Sequence, residues 1–439
     1  MSSVVLYFQV HQPYRLRRYS YFEISKKHDY FNDELNAFVL RKVAAKCYIP
    51  ANRVLLRLIR RYQGAFRVAF SLTGLAIEQM ERYAPEALDS FVELAQTGCV
   101  EFLGETYYHS LAALYDRREF VDQVQRHAEL MENLFHYSPK VFRNTELIYS
   151  NEIGVLASQL GYKAVIAEGV DEVLGGRSPN HIYTVPGIGL PVLMKNYGLS
   201  DDIAFRFSNQ AWHSYPLTAP KFASWVHQLS GQAEILNLFM DYETFGEHQW
   251  EATGIFEFLE HLPGEVMQSS EWDFDTPSGV VDRYGACSEI NFPRLTSWAD
   301  LERDLSAWRG NRIQTAALGR IYSYGKALVE AGNAEALHIW RLLQTSDHFY
   351  YMCTKMFEDG DVHSYFSPYE SPYDAFIYYM NILRDFELTY LDKRLVETIP
   401  TLGVDEINPS AAKPHQLENP FEGYDPGEEQ GPLKEPPGI

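Results

Sequence analysis

The stretch Leu236-Asn-Leu-Phe-Met-Asp-Tyr-Glu-Thr-Phe-Gly-Glu-His248 decides how this chain is read. Its mostly apolar opening suits a strand buried on both faces, and the run stops abruptly at Asp241. Glu243, Glu247 and His248 follow closely, with Gly246 permitting a turn among them. A strand inside a parallel sheet carries such an apolar run, and α/β barrels gather reactive side chains at the C-terminal ends of their strands. A strand end with ordinary solvated acids would look the same, so the rest of the chain must decide.

Working outward, other short apolar runs end in the same abrupt way. Residues 4–10 lead to His11-Gln12-Pro13, and 66–72 lead to Thr73-Gly74. Residues 99–103 run into Gly104-Glu105 and, shortly after, Tyr107, Tyr108 and His109. Residues 141–143 deliver Asn144-Thr145-Glu146, and a further strand fits 164–167. Between them, helical periodicity covers 36–62 with an interruption near Pro50, then 75–82, 86–97, 117–136 and 151–160. Alternation at this spacing predicts an α/β fold with a parallel sheet and right-handed crossovers. Residues 171–215 read as later strands with elaborated loops, flanked by helices at 219–229 and 254–261. The polar segment 269–296 reads as a connection around the edge of the sheet domain. From about 297 helices dominate, at 299–307, 313–331, 334–358 and 372–394, and the chain closes in a proline-rich acidic tail. The expected division is a sheet domain over 1–290, a helical domain over 291–400 and the tail over 401–439.

Composition narrows the function. A formal net charge of −21 disfavours nucleic acid or an anionic membrane as partner, since phosphates would be repelled, but it permits a neutral ligand. The 30 Tyr, 26 Phe and 7 Trp are abundant; core packing alone could account for them, but sugar rings also stack on aromatic faces. Four scattered cysteines form no CxxC pair, which disfavours structural zinc or a disulfide framework and suits a reducing cytoplasm. The N-terminus reads as a first strand and not as a signal peptide. No apolar run approaches the roughly 18–20 residues that span a bilayer. HxH, HxD and HExxH patterns are lacking, as is a GxSxG elbow, so neither a catalytic metal nor a serine hydrolase is expected.

What remains is a set of carboxylates at strand ends. Glycoside hydrolysis needs two carboxyl groups in different environments, one a nucleophile and one a proton donor. Glu146 has Arg143 and Asn144 as polar neighbours that favour its ionised form. Asp241 lies between Met240 and Tyr242, where desolvation would raise its pKa and suit it to donate a proton.

The chain resembles glycoside hydrolase family 57, the family of retaining α-amylases, 4-α-glucanotransferases, branching enzymes and amylopullulanases. Five blocks carry the resemblance in order: His11-Gln-Pro13, Gly98-Cys-Val-Glu101, Arg143-Asn-Thr-Glu146, Met240-Asp-Tyr-Glu-Thr-Phe-Gly246, and residues 336–351 with Trp340 and Asp347. Cys99 departs from the glutamine common in the second block, at a position expected inside a strand. The resemblance implies an incomplete (β/α)7 barrel followed by a C-terminal helical domain. It implies Glu146 as nucleophile, Asp241 as general acid/base, and His11, Glu101 and Asp347 along the sugar subsite, with an α-glucan as substrate and no cofactor or metal. Gln12, Tyr108, His109, Glu243, His248, Trp250 and Trp340 complete the candidate sugar-binding set. Several have plainer readings: His248 and Trp250 could pack beneath a loop, Glu101 could serve a structural ion pair, and Trp340 sits where helix packing is the default. The expected activity is α-amylase-type hydrolysis of α-1,4-glucans, with a 4-α-glucanotransferase or glucan branching enzyme as the alternative. A non-catalytic glucan-binding protein and a metal-dependent deacetylase-like barrel are the readings from other classes.

Overall fold

A computed structural model describes residues 1–355 and 367–391; the expected tail at 401–439 lies outside the described residues. Ten strands are found among them: β1 (Ser2–Val10), β2 (Val68–Leu72), β3 (Val100–Phe102), β4 (Val141–Arg143), β5 (Ala164–Glu168), β6 (Tyr183–Thr184), β7 (Pro191–Lys195), β8 (Ile235–Asp241), β9 (Trp272–Phe274) and β10 (Ser288–Glu289). β1 is buried along its whole length, which is why its sequence is apolar without alternation. It pairs in parallel with β8 from Ser3 to Gln9, with β9 over Ser2–Val4 and with β2 over Tyr7–Val10. β3 extends this sheet beyond β2. The second sheet runs β10-β6-β7-β5-β4, parallel except for the β6–β7 pair.

Two sets of bonds join the sheets. Beyond the end of β3, Gly104 bridges Phe142 of β4, its N–H donating to the Val141 carbonyl at 2.9 Å and its carbonyl accepting from Arg143 N–H at 2.8 Å. A side chain at Gly104 would meet the Tyr162 ring at 2.2 Å, so glycine is what permits this approach. On the other side, Asn196 N–H donates to the Asn237 carbonyl at 2.9 Å, and Asn237 Nδ2 donates to the Met194 carbonyl at 2.8 Å. Alternate residues of both sheets, among them Val5, Tyr7, Ala69, Ile166, Leu193 and Phe239, meet in one apolar cluster.

One sequence expectation changes here. Segment 269–296 is more than an edge connection: it contributes β9 and the helix Pro277–Arg283, whose Val280 enters the shared apolar cluster. Its many polar residues hid the buried Trp272, Phe274 and Val280. The interruption expected near Pro50 is found as an irregular turn, after which the helix Ile49–Arg61 continues with Pro50 near its start. The irregularity lies just before it, as a π-helical turn over Ala44–Tyr48.

The expected helix at 334–358 is divided into Ala334–Leu342 and Ser346–Tyr350. The break lets Thr345 bridge Ser110 and brings the second helix's first turn to the strand ends. Trp340 is fully buried and its Nε1–H donates to the Ile321 carbonyl at 2.8 Å. It packs with Trp308 and Tyr379 in a cluster that also takes Phe142, Val165 and Val192 from the second sheet. No helix among the described residues is long and apolar enough to cross a membrane.

Candidate active site

Glu146 follows β4 in a tight turn, Thr145–Leu147, with φ +58°, and Leu147 follows with φ +49°. Left-handed backbone is unfavourable for residues with a Cβ and tends to be retained at functional sites. Three side chains from distant segments donate to its carboxylate. His109 Nε2 reaches Oε1 at 3.2 Å, Ser346 Oγ reaches Oε1 at 3.0 Å, and Trp298 Nε1 reaches Oε2 at 2.9 Å. His109 is itself held in a left-handed conformation, φ +49°, and its Nδ1 meets Glu105 Oε2 at 3.4 Å. The Trp298 ring has the Arg143 guanidinium at 5.1 Å from its centroid and the Lys195 ammonium at 5.6 Å.

These contacts set the charges. Burial alone would raise the Glu146 pKa, but the His109 hydrogen bond and the charges of His109 and Arg143 outweigh it and hold Glu146 below the ordinary glutamate value. Burial likewise opposes a charged His109, yet bonds to Glu105 and Glu146 lift its pKa to about 9. Glu105 accepts from Ser71 Oγ at 2.5 Å; against the cost of burial, His109 and Arg143 bring its pKa down to about 2.

Asp241 contrasts with this. It ends β8 opposite Gln9 of β1, half-buried, and among the described residues no side chain donates to its carboxyl. Burial first, and then the charge of Glu146, raise its pKa to about 6 despite Arg143, Lys195 and His109. Two carboxyl groups that feel each other are thus pushed in opposite directions, which is the condition for one acid and one ionised base in a single cleft.

His11 stacks on His109 with ring centroids 4.0 Å apart and planes at 21°. Two adjacent imidazolium rings would repel, and burial together with the His109 charge lowers the His11 pKa. Neutral His11 has a partner at each nitrogen: Thr73 Oγ1 lies 3.0 Å from Nδ1, and Asp347 Oδ2 lies 2.9 Å from Nε2. Its contacts with His11 and the nearby His109 charge outweigh burial and hold Asp347 well below the aspartate range.

The structure therefore brings together Glu146, Asp241, His109, His11 and Asp347. Gln12 and Glu243 adjoin them: Gln12 Nε2 donates to Glu243 Oε1 at 3.2 Å. Tyr108 is buried beside Tyr107, its hydroxyl 3.4 Å from His338 Nδ1. His248 is half-buried, with its pKa pulled down to about 4 by burial, and Trp250 is 54% exposed with Lys46 Nζ 6.0 Å from its ring centroid. These partners of Tyr108 and Trp250 lie outside the group, burial dominates at His248, and two further candidates serve elsewhere. Trp340 serves the helical core, as described above. Glu101, buried within β3, accepts from Ser278 N–H at 2.8 Å and so occupies the N-terminal turn of the helix Pro277–Arg283.

Sequence reasoning missed Trp298 and Ser346, both of which touch the Glu146 carboxylate. Neither follows a strand, so the strand-end rule could not find them; only the resemblance block around Asp347 came near Ser346. It also passed over Lys195, which ends β7 and lies 3.5 Å from Glu168 and 3.2 Å from Asp201. A lysine closing an apolar strand was the available signal there. Among the described residues no group of three or more His, Cys, Asp or Glu side chains is placed to hold a metal ion.

Comparison with known proteins adds the following. The sequence pattern of glycosyl hydrolase family 57 matches residues 5–293. A Methanocaldococcus jannaschii protein named "Putative alpha-amylase" is 44% identical over 396 residues, covering 87% of this chain and 83% of its own. Among solved structures, a GH57 branching enzyme from Thermococcus kodakaraensis in complex with glucose superimposes with a TM-score of 0.62 at 15% identity, over 91% of this chain and 94% of that one. A 4-alpha-glucanotransferase from Thermococcus litoralis gives a TM-score of 0.60 at 15% identity over 79% of this chain, which spans 56% of that enzyme's length.

Proposed function

Because the chain belongs to glycosyl hydrolase family 57, we propose that it cleaves α-1,4-glucans by double displacement, with Glu146 as nucleophile and Asp241 as general acid/base. The observation that carries this reading is the split between the two carboxyl groups: Glu146, with three donors, is held ionised, and donor-free Asp241 is held protonated up to about pH 6. In the first step Glu146 attacks the anomeric carbon as the glycosidic bond breaks, and Asp241 passes its proton to the departing oxygen. Asp241, now a carboxylate, then takes a proton from water, whose oxygen displaces Glu146 and frees the sugar. His11 and Asp347 are assigned to hydrogen-bond sugar hydroxyls at the cleaved residue.

The architecture proposed to carry this chemistry is an incomplete (β/α)7 barrel over 1–290, closed by the bonds at Gly104 and Asn237, with a helical domain from 291 completing the cleft. Four unpaired, widely spaced thiols support a cytoplasmic setting. The same two carboxyl groups would serve a sugar hydroxyl in place of water, and the glucanotransferase and branching-enzyme neighbours give that second reading its substance.

Incubation with maltoheptaose and separation of the products tests both. Shorter sugars alone support hydrolysis. Longer linear chains indicate 4-α-glucan transfer, and α-1,6 linkages formed on amylose indicate branching. An unchanged ladder with retained glucan binding would leave a non-catalytic binding protein.

A further inference from the structure

Glu243 is a buried carboxyl group without a counter-ion. It lies in the single turn that follows Asp241, and among the described residues no Lys, Arg or His comes within ion-pair distance of it. Two side chains donate to the same oxygen, Oε1: the Tyr48 hydroxyl and Gln12 Nε2. The orientation of the Gln12 amide is settled by Arg15, whose Nη2 donates to Gln12 Oε1 at 3.1 Å and leaves the nitrogen to face Glu243. An oxygen that accepts twice is the carbonyl oxygen of the group, so a proton on this carboxyl belongs to Oε2.

Tyr48 owes its place to the π-helical turn Ala44–Tyr48, a kind of insertion often found at functional sites. The same turn grips the segment after Asp241 at two more points. Cys47 Sγ donates to the Tyr242 carbonyl at 3.0 Å, and Gly246, at φ +112°, lies so close to the Lys46 carbonyl that a Cβ would meet it at 2.0 Å. A one-residue widening of a helix has therefore been placed where it fixes one carboxyl group beside another.

We propose that Glu243 works as an uncharged carboxylic acid, fixed at Oε1 by Tyr48 and Gln12 with its proton on Oε2, and positions Asp241 without adding charge to it. This rests on the pairing of Glu146 with Asp241 proposed above. Burial, and then the Asp241 charge, raise the Glu243 pKa to about 8, above that of Asp241. The groups facing Asp241 are Glu146, Arg143, Lys195 and His109, with Tyr7 from β1. Those facing Glu243 are Asp241, Tyr48, Gln12, Cys47 and Tyr242. When Asp241 gives up its proton in the glycosyl-enzyme, a neutral neighbour adds no repulsion to the new carboxylate, whereas a charged one would hold that proton back.

Glu243→Gln in the full chain separates these cases, because glutamine mimics the neutral acid. Infrared difference spectra at pH 7 should show a protonated-acid carbonyl band in the wild type that the variant lacks; loss of carboxylate stretching bands in its place would overturn the proposal. This arm needs no turnover, so it still decides if the enzyme proves inert towards glucans. In kcat/KM profiles on maltoheptaose, the alkaline midpoint of Glu243→Gln should coincide with that of the wild type. A fall of about one unit or more would mean that a negative charge had been removed, which also overturns it. Should Glu243→Gln fail to fold, Tyr48→Phe removes one donor that favours the carboxylate: the acid band should then persist to higher pH than in the wild type, and loss at lower pH would contradict the proposal.

Discussion

The turn at Glu146 and the end of β8 at Asp241 deliver the same functional group to one cleft by opposite means. Glu146 sits in left-handed backbone and is met by donors from three separate segments, two of them far along the chain. Asp241 sits at the end of a regular strand in extended backbone, with carboxyl groups nearby and no side-chain donor among the described residues. Charge state at these two carboxyl groups thus follows from the donors and the charges that face each of them. Hydrogen bonds to charged groups contribute about 1.5–3 kcal/mol each, and at Glu146 the His109 bond acts together with the charges of His109 and Arg143 against burial.

The severest way to break the contrast is to remove one partner. Glu146→Gln should lower kcat on maltoheptaose by at least about a thousandfold, with near-native circular dichroism, because the amide cannot act as the nucleophile. Asp241→Asn should cost about 10²–10⁴-fold, and on an aryl glycoside whose leaving group needs no proton most of the loss in kcat/KM should vanish while kcat stays low, since no base then activates water. Trp298→Phe keeps an aromatic ring beside Arg143 and Lys195 but deletes the bond to Oε2. A loss of about 10–100-fold is expected, together with an acid limb moved to higher pH.

The direction of that limb follows from the two shifts. Wild-type kcat/KM should fall as pH drops through the lowered pKa of Glu146, below 4.5, and fall again as pH rises through about 6, where Asp241 loses its proton. Weakening the donors to Glu146 narrows this window from the acid side only; a shift of the alkaline limb alone would contradict the assignment. The smallest effect belongs to Trp250, which is exposed and makes no bond to either carboxyl group. Trp250→Ala should raise KM by a few-fold for long glucans and leave short ones little changed, as loss of one stacking platform would.

Much of this was legible in the sequence. An apolar strand ending in one acid points at Asp241, and the short strand before Glu146 points at it in the same way. Glu101 shows how the rule can slip: β3 ends at Phe102, so the side chain at the cleft is Glu105, while Glu101 lies inside the strand and caps a helix. Trp298 and Ser346 were beyond reach because their role depends on tertiary approach, with no local period to betray it. Ser346 in particular required the helical region to break after Leu342, where no proline or glycine marks a stop.

The position of Ser346 and Asp347 has a consequence for biosynthesis. Ser346 reaches Glu146 from 200 residues away, and Asp347 reaches His11 from 336. A ribosome releases the chain from its N-terminus, and domains fold as they emerge. A nascent chain that has already laid down every strand of both sheets still lacks the serine that steadies one carboxylate and the aspartate that orients the first histidine. A chain halted before Ser346 would on this reading hold both sheets and both carboxyl groups and still have an unfinished site.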